Sequence, residues 1–299
     1  MRISMMRLSA YGSVVAMLAA SSVLFAQGDA ARAGSKTARV GSQNDTIVPD
    51  VRQIVESSIA ATERHWKIRL RYSYLARDED RRLDVEGHVR SADVEVSRTG
   101  LFNGVPFDQL VERNGRPPSV EEQRKEKEKL DKLRRETPEQ RIARIRTEEE
   151  DKASLVREIP KAFDFQLVGE EAVNGRAAYV LQATPRPGYQ PQGKYGKMFA
   201  KVAGRLWVDK QDLGWIKADG QVIQPFSMGL FLERMLSGSR NTTGQTRVDD
   251  GIWMPEHIEV RAAAKIFFVK SLVIERVVTY SEYALPYGSV ISRGDPAIQ

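Results

Sequence analysis

Apolar and polar residues alternate with period two along most of the chain. In the run WKIRLRYSY, Trp66, Ile68, Leu70, Tyr72 and Tyr74 fall on one face, and Lys67, Arg69, Arg71 and Ser73 on the other. Strict alternation predicts a strand with one buried and one solvated face, which is an antiparallel habit. Leu83–Ser97 repeats the pattern, with a phase shift near Ser91–Asp93 of the kind a bulge produces. Phe107–Arg113 follows, closed by Asn114-Gly115. Phe163, Phe165 and Leu167 then alternate with Asp164 and Gln166, and Val173-Asn174-Gly175-Arg176 turns the chain into Ala178–Ala183. The two halves of GRLWVDKQDLGWIKADG come next, then Thr246–Val248, Trp253–Ala263, Lys265–Ser271 and Leu272–Tyr283. Roughly ten hairpin-connected strands with hardly a helical crossover predict a mainly β (α+β) fold: a strongly curved antiparallel sheet forming an unclosed β-barrel.

Three segments break the alternation. Pro49 opens a helix whose stripe is Val51, Ile54, Val55 and Ile59, ending near Glu63. Ser119–Ile159 is dense in Glu, Lys and Arg; Pro138 divides it into two helices, with Thr137 as N-cap of the second. A charge run of this kind is more often a solvated arm laced with i,i+4 ion pairs than a binding surface. PFSMGLFLERMLSG, Pro225–Gly238, is apolar nearly all round, starts with Pro and ends with Gly. It predicts a short helix that plugs the sheet or touches something greasy. Thr184–Gln192, TPRPGYQPQ, predicts a rigid loop at the sheet rim rather than part of a cavity mouth.

The hairpin GRLWVDKQDLGWIKADG has its own register. A three-residue loop, Lys210-Gln211-Asp212, sets Leu206 opposite Ile216 and Trp207 opposite Trp215. Leu206, Val208 and Ile216 then face inward, both indoles lie outside beside Arg205 and Lys217, and Asp209 and Asp212 are loop acids.

At 299 residues, with 41% hydrophobic residues, the chain can bury one large core. Residues 1–26 read as a secretory signal: Arg2 and Arg7, the apolar runs Val14–Ala20 and Val23–Phe25, and cleavage after Ala26. A flexible lead-in (27–47), a single domain (48–285, with the charged insertion at 119–159) and a tail (286–299) complete the division. The expected product is a soluble, periplasmic monomer with no transmembrane span. The chain has no Cys, which excludes disulfides, thiolate zinc sites, thiol nucleophiles and a lipoprotein anchor. The charge of +6 is spread thinly, and the signal carries two of those arginines, so nucleic acid is not an expected partner.

Catalytic patterns are missing. The 3 histidines, His65, His88 and His257, lie apart and without carboxylates at ligand spacing, so no metal site is expected. There is no GxSxG, P-loop or GxGxxG, so neither an enzyme nor a cofactor is expected. Glu170-Glu171 reads as exposed turn acids. Asn241-Thr242-Thr243 and Arg293-Gly294-Asp295 match short sequons of little specificity.

The order of FDFQLVGEEAVNGRAAYVLQATP, GRLWVDKQDLGWIKADG and DDGIWMPEHIEV resembles the LolA/LolB-like superfamily of outer-membrane lipoprotein-sorting proteins, whose fold RseB-type envelope sensors share. The resemblance spans about Val48–Tyr283. It implies an unclosed barrel, plugged by short helices, whose concave apolar face holds acyl chains of a lipid or lipoprotein cargo. The lining expected on that basis is Leu70 and Tyr72; Phe163, Phe165 and Leu167; Leu206, Val208 and Ile216; Phe226, Phe231, Leu232 and Met235; and Ile258 and Val260. Two short helices are thin cover for so many strands, and each buried CH₂ contributes about 0.8 kcal/mol, so acyl chains could bind without polar chemistry. The alternative is an RseB-like sensor that docks an envelope protein partner through the charged arm.

Overall fold

The computed structural model describes residues 50–285 except 70, 85, 103–104, 192–195, 229–232, 249–250 and 267–269. Its elements in chain order are α1 (Val51–Arg69), β1 (Ser73–Leu83), β2 (Val89–Phe102), β3 (Val105–Arg113), α2 (Val120–Arg135), α3 (Pro138–Ala162), β4 (Phe163–Val173) and β5 (Arg176–Pro185). After these come α4 (Gly196–Phe199), β6 (Val202–Asp209), β7 (Trp215–Val222), β8 (Phe226–Met228), β9 (Glu233–Met235), β10 (Arg240–Val248), β11 (Ile252–Ile266) and β12 (Lys270–Ala284). The strands form one antiparallel sheet ordered β3-β2-β1-β12-β11-β10-β7-β6-β5-β4, with β9 pairing both β11 and β8. Among the described residues its two ends do not pair with each other, so the curved sheet is an unclosed half-barrel.

Turn chemistry sets the hairpins. Asn174 and Gly175 take φ of 50° and 75°, and Asn114 and Gly115 take 52° and 76°, the left-handed pairs that tight hairpins need. Asp84 caps another turn, its Oδ1 accepting from the amides of Glu86 at 3.1 Å and His88 at 2.8 Å. The two arm helices both start on capping boxes, Ser119 with Glu122 and Thr137 with Gln140, as the sequence predicts for Thr137.

Four expectations change. First, α1 continues to Arg69, so the alternating run from Trp66 is helical up to that residue and the strand starts only at Ser73. The buried stripe of α1 continues through Ser58, Ala61, Thr62 and Arg69, which are small or polar and do not register as an apolar period. Second, Leu83–Ser97 is two strands joined by the Asp84–His88 turn. Third, the described parts of Pro225–Gly238 form the β8–β9 pair, where Phe226 faces Met235, rather than a helix; residues 229–232 of the expected helix lie outside the described residues. Lys265–Ser271 likewise spans the facing ends of β11 and β12, with Ile266 opposite Lys270.

The fourth change is register. Leu206 faces Ala218, Trp207 faces Lys217, and Val208 faces Trp215, with a shift between Trp207 and Val208. The bulge falls on β7 and turns Ile216 and Lys217 toward the same side, so Trp215 points the opposite way. The connecting loop is Lys210–Gly214, longer than three residues.

One face of the sheet carries the helices. Val156, Ile159 and Ala162 of α3 pack with Phe163, Ala183, Phe199, Val202 and Val222. Ile54 and Val55 of α1 pack on Leu181, Leu206, Val208 and Ala218. Ile59 and Phe165 touch both clusters, and Trp215 joins the second to a third around Tyr74, Met254, Ile258 and Val278. The far end of the charged arm is therefore a structural cover, while Val120 and Ile142 stand exposed at 84% and 64%.

Candidate functional site

The inner, helix-covered face is the candidate ligand surface. Pairing fixes its composition in rows that cross the sheet. One row reads Leu181, Leu206, Ala218, Thr243, Ile258, Val278, Asp78, Glu95 and Arg113. The next reads Ala183, Gly204, Gly220, Asn241, Val260, Arg276, Asp80 and Asp93. Both run from an apolar or side-chain-poor half under α1 to a charged half on β1, β2 and β12.

Most of the expected lining meets on this face. Phe163 and Val208 are fully buried, Leu206, Tyr72 and Ile258 nearly so, and Phe165, Leu167, Phe226 and Val260 pack at the cluster margins. Met235 lies half-buried opposite Phe226 on the β8–β9 pair. Ile216 is not part of this group: the β7 bulge places it with Ala178, Val180, Trp207 and Trp253 on the outer face. Leu70, Phe231 and Leu232 lie outside the described residues.

The sequence reading missed the polar groups on the inner face. Arg69, 6% exposed, reaches from the end of α1 and donates to Gln245 Oε1 at 2.5 Å. The Gln245 amide in turn donates to the Trp215 carbonyl at 2.9 Å. Arg276 pairs with Asp78 at 2.8 and 2.5 Å. Arg113 gathers Asp93, Glu95 and Glu122. Burial raises the Asp80 carboxyl above its ordinary value, with Arg82 and Arg276 opposing. A possible signal lay in β10, RNTTGQTRV, where Asn241, Thr243 and Gln245 alternate as an all-polar face.

The outer face is a brace. Asp209 is fully buried and accepts from Arg176 at 2.5 and 2.9 Å, and from the amides of Gln211 at 2.8 Å and Asp212 at 3.1 Å. Burial pushes the Asp209 carboxyl up, but the Arg176 hydrogen bond, the two amides and the Arg176 charge outweigh it and hold the group low. Trp253 Nε1 donates to Asp212 Oδ1 at 3.1 Å, and Trp207 Nε1 donates to Glu171 at 2.8 Å. Lys217 lies 4.6 Å from the Trp207 ring centre. A Cβ on Gly214 would come within 2.1 Å of Trp253 Nε1, which explains the glycine. Thus Trp207 lies outside, as the hairpin reading expected, whereas Trp215 lies inside. Asp209 and Asp212 hold the loop.

The Asp84–His88 turn brings Asp84, Glu86 and His88 ligand atoms within 4.8 Å of one another. The cluster is a capped turn: Asp84 Oδ1 takes two amides, Arg90 lies 2.7 Å from Oδ2, and Glu86 and His88 are exposed. Burial, with Arg69 and Arg64, lowers the His65 imidazole. Among the described residues no helix is long and apolar enough to cross a membrane.

No protein-family model and no curated protein matches the chain. Among solved structures it is similar to a DUF1329 family protein from Desulfovibrio piger, at 14% identity and TM-score 0.30, over 82% of this chain and 97% of that one. It is similar to a LolA superfamily protein from Nitrosomonas europaea, at 13% identity and TM-score 0.25, over 78% and 92%. It is also similar to MucB in complex with MucA(peri), at 12% identity and TM-score 0.22, over 78% and 94%.

Proposed function

We propose that the protein is a periplasmic carrier that holds acyl chains of a lipid or lipidated protein between α1 and the inner face of its open sheet. The observation that carries this reading is the seam beneath α1. On the sheet side it is lined by Leu181, Leu206, Val208 and Ala218; on the helix side, beyond Ile54, Val55 and Ile59, it continues with the small residues Ser58, Ala61 and Thr62. Thr62 donates its hydroxyl to the Ser58 carbonyl at 2.9 Å within the helix, while the end of α1 is held to β10 by the Arg69–Gln245 hydrogen bond. Separation would expose apolar area that a chain of CH₂ groups re-covers at about 0.8 kcal/mol each. A saturable rise in the emission of a fluorescent fatty acid on titration with the full chain is expected, displaced by unlabelled palmitate; no saturable signal would count against the carrier.

A second reading, docking of an envelope partner through α2 and the first half of α3, is favoured by the exposed Val120 and Ile142 on that arm. Removing residues 124–150 separates the two: the carrier keeps its fatty-acid binding.

A further inference from the structure

The inner face has one feature that an acyl chain alone leaves unused. Strand β10 turns Asn241, Thr243 and Gln245 inward, between apolar neighbours on β7 and β11. Thr243 stands between Ala218 and Ile258 and is 1% exposed, yet its Oγ1 has no hydrogen-bond partner. Asn241, two residues earlier on the same face, has a buried Oδ1 that is also without a partner. Gln245 differs, since its amide serves Arg69 and the Trp215 carbonyl. An unmet buried polar atom costs free energy on folding, and native structures rarely keep one without a use.

Beside Asn241 the row is poor in side chains. Gly220 and Gly204 sit next to it across β7 and β6, followed by Ala183 on β5. Three adjacent strands thus offer almost no side chain in that row, and all three positions are buried beneath the helical cover, Ala183 within the α3 cluster.

The two unmet atoms define a ligand chemistry. The Thr243 hydroxyl can donate and so suits a carbonyl oxygen; Asn241 Oδ1 can only accept and needs an N–H. Residues i and i+2 of a strand lie about 7 Å apart. A trans amide directs its C=O and N–H in opposite senses, and with a hydrogen bond at each end its partners stand about 7–8 Å apart. An ester has no donor and would leave Asn241 unmet.

We infer that the β10 track of Asn241 and Thr243 receives an amide linkage once α1 parts from the sheet, so that the cargo is an N-acylated molecule whose chain runs along the side-chain-poor row of Gly220 and Gly204. This rests on the carrier reading and narrows its substrate class.

The test compares N-palmitoylglycine with its ester isostere, O-palmitoylglycolate, each competing against a fluorescent fatty acid on the full-length protein. The amide is expected to bind about tenfold more tightly, the scale of one hydrogen bond to a buried acceptor. Asn241→Leu abolishes that preference, so that in this variant the amide binds no more tightly than the ester. Thr243→Val weakens both probes several-fold yet raises the melting temperature, because it deletes an unmet hydroxyl. Equal affinity for the two probes, or a preference that survives Asn241→Leu, overturns the amide assignment and leaves the carrier standing. Should Asn241→Leu fail to fold, Asn241→Ala decides the matter in its place: loss of the amide preference supports the assignment, and its survival overturns it. If neither probe nor the fatty acid binds saturably, the carrier reading itself falls.

Discussion

Asp209 shows how a residue that resembles a catalyst can be wholly structural. Its carboxylate is fully buried, satisfied by Arg176 and two loop amides, and faces away from the helices. Replacing one partner of such a pair leaves the other uncompensated, at a cost of about 3 kcal/mol. Because its pKa in the fold is held below the usual carboxylate value, its contribution is complete above about pH 4, the unfolded value, and is lost as pH falls through the folded one. Asp209→Asn should therefore lower stability at pH 7 by about 3 kcal/mol and flatten the acid limb of the stability profile, as urea melts between pH 2 and 7 would record. An acid limb as steep as that of the parent would assign the effect to other carboxylates.

The same residue scale explains what the sequence hides. Alternation correctly placed Leu206 and Val208 inward, because strand parity fixes facing. It misplaced Ile216 and Trp215, because a single β7 bulge reverses parity and nothing in GWIKADG announces it. Arg69, Gln245 and the Asn241–Thr243 track were illegible for another reason: a polar residue reads as solvated until its distant partners are known, and Arg69 meets Gln245 across 176 positions of sequence.

At the scale of elements, helix caps and hairpin turns were the most legible features, since local geometry alone determines them. Thr137 caps α3 through the Gln140 amide at 3.3 Å, and the Gln140 side chain returns to the Thr137 amide at 3.0 Å. Thr137→Ala should cost about 1 kcal/mol locally, seen as faster amide exchange in the first turns of α3, with the sheet unaffected. The other end of the same helix behaves differently. Ile159 is 7% exposed within the cluster of Phe163, Phe199 and Val202, so Ile159→Ala should lower global stability by about 3 kcal/mol. A denaturant midpoint unmoved by Ile159→Ala would mean that α3 does not cover the sheet in solution. Charge density had suggested a solvated arm throughout; the last turns, Val156 to Ala162, are instead core. The β8–β9 pair misled in the opposite sense, because a short apolar run carries no period that separates strand from helix.

At the scale of the molecule, an open sheet with helices on one side leaves a long apolar seam and two unpaired edges. Both edges are blunted by irregularity: β4 shifts register between Leu167 and Gly169 against β5, and β3 shifts opposite Val96 and Ser97. The overall architecture was legible because hairpin-linked alternation with few crossovers admits few topologies. Whether the seam under α1 is a dry core or a cargo site is a property of occupancy, and occupancy can be weighed. Native mass spectrometry of the protein purified gently from its own cell envelope tests it most directly. The carrier account predicts a mass increment matching an acyl lipid, released by organic extraction and identified in the extract. Repeated preparations at the bare polypeptide mass, under conditions that preserve lipid on a known carrier, would contradict it.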